Sequence, residues 1–218
     1  YSYSDYDVTD TIFVVGANPL ETQTNLFLNH MVRGMQNGAR FVMIDPRRTV
    51  TVNAAEEVAG PDNVLHLAIN EGTDMVVLNA ILTHIVDQGW TDDEFIAAST
   101  FASGEAVGED SGQPAGLGSL DYAMQSCRTS LEEAAEICGV EAADIQTAAE
   151  WIAMPKDDGS RRRCVSGYEK GIIWGNDNYR TIGALVNISL ATGNIGREGG
   201  GCSRLGGHQE GYYRPSDA

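Results

Sequence analysis

The segment Thr11-Ile-Phe-Val-Val-Gly16-Ala-Asn-Pro19 places five β-branched or aromatic residues between Asp10 and a Gly-Ala-Asn-Pro turn. So short an apolar run, bounded by turn residues, reads as a strand buried in a parallel sheet. A helix is expected next. From Glu21 to Gln36 the residues Leu26, Phe27, Met31, Val32 and Met35 suit one helical face, and Asn37-Gly38 supplies the stop. Arg40-Phe-Val-Met-Ile-Asp45 repeats the strand pattern, so strand, helix and strand span the length of a βαβ unit with its right-handed crossover. Val64 to Ile69 reads as a third strand ending in Asn70-Glu-Gly-Thr-Asp74, and Met75 to Val86 as an apolar helix stopped by Gly89. Ligands of open α/β sheets bind outside the carboxyl ends of the strands. The loops at Gly16, Asp45 and Gly72 are therefore the first candidates for a site.

Further along, helices are expected at Asp121 to Arg128, Leu131 to Ile137 and Ala142 to Met154, after a turn-rich stretch from Ser103 to Ser119. A domain boundary is placed near Gly139. Beyond Pro155-Lys-Asp-Asp-Gly159 and Arg161-Arg-Arg163, Cys164 to Gly167 and Gly171 to Trp174 look like strand pieces, and Thr181 to Ala191 like a helix. Eight of the 25 glycines then fall between Gly193 and Gly211, too many for a stable helix.

With 218 residues, 42% hydrophobic and 21% charged, the chain can form one large or two small globular domains and is not a fibrous or disordered protein. Its formal net charge of −17 argues against nucleic acid or an anionic membrane as partner. The charge is uneven: residues 1–155 hold 24 acids and 5 bases, whereas residues 156–218 hold 7 acids and 9 bases. The acids between 87 and 150 read as a solvated face. Cys127, Cys138, Cys164 and Cys202 stand far apart with no C-x-x-C, so no zinc or iron–sulfur site is written in this segment. The apolar runs fall well short of the ~20 residues of a membrane span. The chain opens at Tyr1 and closes just after a Gly-rich stretch, which reads as an internal piece of something longer.

Four motifs can carry chemistry, each with a plainer reading beside it. In Gly16-Ala-Asn-Pro19 the glycine permits close backbone approach, Asn18 offers an amide, and the helix behind presents free N–H groups to an anion; the plainer reading is a tight strand-to-helix turn. In Ile44-Asp-Pro-Arg-Arg-Thr49 the carboxylate suits a ribose diol or a guanine edge and the arginines suit phosphate; alternatively Asp45 caps a helix with Pro46 at its first position. Thr73 or Asp74 in Glu71-Gly-Thr-Asp74 caps the next helix or contacts a ligand. In Gly199-Gly-Gly-Cys-Ser-Arg204-Leu-Gly-Gly-His208, Arg204 and His208 are donors on a close-approaching backbone, suited to an oxygen-rich substrate, unless the segment is an unordered end. His30, His66 and His84 fall inside expected helices or a strand, where a satisfied structural histidine is commoner than a ligand, and are assigned no role.

Gly16-Ala-Asn-Pro19, Ile44-Asp-Pro-Arg-Arg48, Gly72-Thr-Asp74 and Leu190-Ala-Thr-Gly-Asn-Ile-Gly196, in that order, resemble the molybdenum enzymes of the dimethyl sulfoxide reductase family. Glu169-Lys-Gly-Ile-Ile-Trp-Gly-Asn-Asp-Asn-Tyr-Arg-Thr181 and Arg204-Leu-Gly-Gly-His-Gln-Glu-Gly-Tyr212 resemble its arsenite-oxidising branch. The resemblance implies an α/β fold, with a Rossmann-like parallel-sheet domain over residues 1–138 followed by part of a second α/β domain over 139–218. It implies a molybdenum bis-(molybdopterin guanine dinucleotide) cofactor and oxygen-atom transfer from that centre to arsenite. Gly16, Ala17 and Asn18 would line one dinucleotide, and Asp45, Pro46, Arg47 and Arg48 would lie at its guanosine end. Gly72 and Asp74 would add a guanine-side contact, Lys170 and Trp174 would approach the pterin, and Arg204 and His208 would hold the substrate. An iron–sulfur cluster bound upstream of this segment, a Rieske-type small subunit, a cytochrome c or copper-protein acceptor and a periplasmic location are implied with it; the segment alone is expected to be inactive. Three rivals stay open: a family member acting on another oxyanion, a cofactor-free scaffold subunit of a respiratory complex, and a nicotinamide dehydrogenase, which the lack of G-x-G-x-x-G weakens.

Overall fold

Residues 2–100 and 120–206 are described by the computed structural model. Strands β1 (Thr11–Val15), β2 (Arg40–Ile44), β3 (Val64–Leu67), β4 (Cys164–Tyr168) and β5 (Gly201–Arg204) form one parallel sheet in the order β3-β2-β1-β4-β5. Successive side chains point to opposite faces. Ile12, Val14, Phe41, Met43 and Val165 face one apolar layer, and Phe13, Val15, Val42, Ile44 and Leu67 face the other. Both faces are covered, which is why β1 and β2 read as unbroken apolar runs.

The first layer comes from α1 (Asp5–Val8), α2 (Pro19–Thr22), α3 (Thr24–Leu26), a π turn (Phe27–Met31), α4 (Val32–Gln36) and α5 (Val50–Ala59). The second comes from α6 (Asp74–Asp87), α8 (Leu120–Cys127), α9 (Leu131–Cys138), α10 (Ala142–Ala153) and α12 (Asn178–Ala191), with α7 (Asp93–Ser99) beside α12 and α11 (Lys170–Ile173) between β4 and α12. The largest buried stripe is on α6, where Val77, Leu78, Ala80, Ile81, Leu82 and Ile85 are all sealed. The chain changes direction across the sheet between β1 and β4.

The sheet and one of its core layers run across the expected boundary at 138/139. β4 and β5 come from beyond it, yet β4 pairs with β1 from Thr11↔Cys164 to Val15↔Tyr168, and α9 and α10 share one core with α6 and α12. Without β4, one edge of the buried β1 would expose its ladder groups. Asp10 reinforces the join, accepting from Lys156 Nζ at 3.2 Å and from the Arg163 backbone N–H at 2.8 Å.

Other expectations change locally. The single helix from Glu21 to Gln36 is broken at Gln23 and carries the π turn. Gly171 to Trp174 is not a strand: Lys170–Ile173 forms α11, with the Ile172 and Ile173 N–H groups donating to the Glu169 carbonyl, because Ile172 is buried in the second layer rather than in the sheet. The Gly-rich run is not all loop, since Gly201–Arg204 is β5. The third strand ends at Leu67 rather than Ile69. The turn-rich stretch 103–119 lies outside the described residues.

Candidate functional site

A cavity of about 1020 Å³ opens at the carboxyl edge of the sheet, where β1 and β4 lie side by side and the strand order reverses. Open α/β sheets bind their ligands at this place. Its wall is built from the ends of four strands: Gly16, Ala17 and Asn18 after β1, Asp45 and Arg47 after β2, Glu169, Lys170 and Gly171 after β4, and Leu205 and Gly206 after β5. Thr22 to Leu26 close one side.

Gly16 and Gly171 make the floor. Gly16 has φ +58°, and a Cβ there would stand 2.9 Å from Ile172 N. A Cβ at Gly171 would lie 2.6 Å from Gly16 Cα, and Gly171 N–H donates to Gly16 O at 2.9 Å. Two glycines thus let the β1 and β4 loops touch backbone to backbone, leaving the space above them to a ligand.

Asn18 is already engaged, since its Oδ1 accepts from Thr51 Oγ1 at 2.6 Å and its Nδ2 donates to Glu21. Leu20 N–H, one of the groups expected to face an anion, donates instead to Thr51 Oγ1 at 3.0 Å. The first loop therefore offers a close backbone more than an array of donors.

Asp45 does not cap a helix. Its Oδ1 accepts from Arg47 N–H at 2.8 Å, and α5 begins only at Val50, after Thr49. Because the helix starts four residues later than Pro46, the carboxylate closes an Asx turn on the N–H two residues on, in place of a cap. Asp45 is nearly buried, and its Oδ2 accepts no hydrogen bond among the described residues. The Arg47 side chain is 80% exposed and its Nε lies 3.8 Å from Asp45 Oδ1. Arg48 turns away to Glu56 and Asn53 on α5, and Pro46 sits in the turn between them.

The third loop stands outside the cavity wall. Thr73 makes no side-chain cap and donates to Asn70 O at 2.7 Å. Burial, reinforced by the negative charge of Asp45, raises the Asp74 carboxyl above its ordinary value, so the second and third loops feel one another. Gly72 takes φ +82° with open space around it. Lys170 Nζ lies 5.3 Å from the Trp174 ring centroid, and Trp174 is 75% exposed. Arg204 is bonded to the cavity-lining Glu169 and does not itself line the cavity. His208 lies outside the described residues. Reading the sequence missed Glu169 and Gly171; the signal was an acid and a glycine directly after a strand.

The cavity suits a large, polar, phosphate-bearing ligand. Its volume is at the top of the range for small-molecule sites, Arg47 and Lys170 are cations for phosphate, and the open Asp45 oxygen suits a diol or the N–H edge of guanine. A molybdopterin dinucleotide fits this donor set.

The molybdopterin oxidoreductase family profile matches residues 1–212. The chain is 41% identical to "Arsenite oxidase subunit AioA" of Herminiimonas arsenicoxydans, over 98% of this chain and 26% of that protein. It is 34% identical to "Iodate reductase subunit IdrA" of Pseudomonas sp. (strain SCT), over 96% of this chain and 25% of that protein. It thus spans about a quarter of the length of these relatives. Among solved structures, "Acetylene Hydratase from Pelobacter acetylenicus" shares the fold with a TM-score of 0.64 at 18% identity, over 92% of this chain and 23% of that one.

Proposed function

The chain belongs to the molybdopterin oxidoreductase family, and from that premise we propose that it is part of the catalytic subunit of an arsenite oxidase. The reaction is conversion of arsenite to arsenate at a molybdenum bis-(molybdopterin guanine dinucleotide) centre. One observation carries the substrate: identity to the arsenite oxidase subunit is 41% along nearly the whole chain, against 34% and 35% to iodate reductase subunits.

When bound, the cofactor supplies two-electron oxygen-atom transfer. The residues of this chain act by position. Gly16 and Gly171 open the floor, Asp45 accepts from the guanine or ribose end, Arg47 neutralises phosphate, and Lys170 and Trp174 approach the pterin. Arg204, with His208, holds the substrate oxygens and favours the negative charge that grows towards arsenate. Only an interaction stronger in the transition state than in the ground state accelerates the step. Arsenous acid is uncharged near neutral pH, so a net charge of −17 sets up no long-range repulsion against it.

An iron–sulfur cluster elsewhere in the subunit, a Rieske-type small subunit, a cytochrome c or copper-protein acceptor and a periplasmic setting complete the proposal by resemblance. No helix among the described residues is long and apolar enough to cross a membrane.

The test is turnover by the full-length protein with arsenite, iodate, nitrate and formate compared side by side. Arsenite oxidation well above the others is expected. Iodate reduction without arsenite oxidation, the outcome the iodate reductase relatives favour, overturns the substrate. Arg204→Ala is expected to raise KM or lower kcat/KM for arsenite with molybdenum content intact, and unchanged kinetics would remove Arg204 from the pocket.

A further inference from the structure

Arg204 ends β5 and Glu169 follows β4, and these strands are neighbours in the sheet, with Arg204 paired to Tyr168. Their side chains therefore meet at the carboxyl edge. Glu169 Oε1 accepts from Arg204 Nε at 3.0 Å and from Nη2 at 2.7 Å. The pair is asymmetric: the Glu169 side chain is 6% exposed and that of Arg204 is 24% exposed. The acid lies inside, with the guanidinium in front of it.

The second Glu169 oxygen, Oε2, is buried and accepts no hydrogen bond among the described residues. A buried carboxylate optimised for stability would use both oxygens, because an unmet buried acceptor is costly. Buried ion pairs are in any case a poor source of net stability. What this arrangement supplies is orientation. Two N–H groups of one planar fork, fastened to one oxygen, fix both the place and the plane of the guanidinium.

We propose that Glu169 is a positioning residue that holds Arg204 ready for a small oxygen-rich substrate. The inference rests on Arg204 being a substrate contact, as proposed above. An unanchored arginine at the end of a Gly-rich strand would have to be ordered as the substrate binds, whereas Glu169 orders it beforehand.

The test is a double-mutant cycle in the full-length, cofactor-loaded protein, with wild type, Glu169→Gln, Arg204→Ala and the double variant compared. Arsenate affinity by calorimetry is measured beside arsenite kinetics. Glu169→Gln is expected to weaken arsenate binding about tenfold and to raise KM more than it lowers kcat, and to do neither once Arg204 is gone. A merely structural pair behaves differently: Arg204→Ala leaves a buried charge unmatched, so the two substitutions couple in melting temperature while their effects on arsenate affinity add. That additive result overturns the proposal. If Glu169→Gln does not load cofactor, Glu169→Asp carries the test, since it keeps the charge but draws the carboxylate back from the two-point attachment and leaves Arg204 in place. The same tenfold loss supports the proposal, and wild-type affinity overturns it. Should wild type turn over iodate rather than arsenite, the substrate reading fails and the same cycle is run with iodate, where an additive result again refutes the role of Glu169.

Discussion

Gly171→Ala probes the contact on which the cavity floor depends. The added Cβ would lie 2.6 Å from Gly16 Cα and 2.8 Å from Gly16 O, backbone atoms that cannot rotate aside. The hydrogen bond from Gly171 N–H to Gly16 O, 2.9 Å long, is then strained or lost. Overpacking costs about 1–3 kcal/mol and the lost bond about 0.5–1.5 kcal/mol, so about 1.5–4.5 kcal/mol is expected in all. In a full-length protein of the relatives' size, of which this chain is about a quarter, each kcal/mol moves the melting temperature by less than the roughly 2–4 °C of a 150–250-residue protein, so a fall of several degrees is expected. Gly72→Ala is the control: that glycine also has positive φ, +82°, but meets nothing within 4 Å, leaving only the backbone cost of about 1–2 kcal/mol. The assay is thermal unfolding of the cofactor-free full-length protein by circular dichroism, with molybdenum per chain measured after loading. Gly171→Ala should melt lowest and load least. A wild-type melting temperature for it refutes the loop contact, and full molybdenum content despite a large loss of stability refutes the role of this floor in holding the cofactor.

Asp45→Ala removes both the turn bond to Arg47 N–H and the open oxygen beside the cavity, and cofactor affinity should fall about tenfold, the worth of one hydrogen bond to a charged group; undiminished guanine nucleotide per chain would count against it. Burial pushes the Asp10 carboxyl up, but bonds from the Arg163 backbone, the Arg163 guanidinium and Lys156 outweigh it and hold the group below its ordinary 3.8. Its stabilisation is therefore present above pH 3.8 and lost as pH falls through the lower folded value. Asp10→Asn should thus be less stable than wild type by about 1–3 kcal/mol at pH 7, with the gap closing in acid; a gap equally wide at pH 7 and pH 3 in denaturant titrations would contradict this. Asp74 has the opposite sign, because burial first and Asp45 second raise its carboxyl, so its contribution is greatest below 3.8 and is lost as pH rises through the raised value. Asp74→Asn should therefore raise the melting temperature of the cofactor-free protein at pH 7 and leave it unchanged near pH 3, and a lower value at pH 7 would be the refuting result.

Much of this architecture was legible before any coordinates. The runs 11–15 and 40–44 could be read as buried parallel strands because both of their faces are covered, and α9, α10 and α12 because their apolar residues keep helical spacing. Signals failed where distant parts of the chain compete with local preference. Gly171-Ile-Ile-Trp174 has strand-like residues, yet Gly16 sits against Gly171 and the second layer takes Ile172, so the segment turns into a helix. The Gly-rich run looked formless, yet β4 offers Gly201–Arg204 a ladder from Val165↔Gly201 to Tyr168↔Arg204. For Asp45, Pro46 was compatible with both capping and turning, and only the late start of α5 at Val50 decided for the turn.

From its residues alone the chain determined its first two strands, its α/β class and the motifs that tie it to its family, because those depend on short-range spacing and on which residue types tolerate burial or close approach. The single sheet, the meeting of Gly16 with Gly171 and the anchoring of Arg204 by Glu169 were decided only in three dimensions. Each joins residues more than 20 positions apart, and nothing local in a sequence records which strand end a distant loop will face until a shared hydrophobic core has placed them side by side.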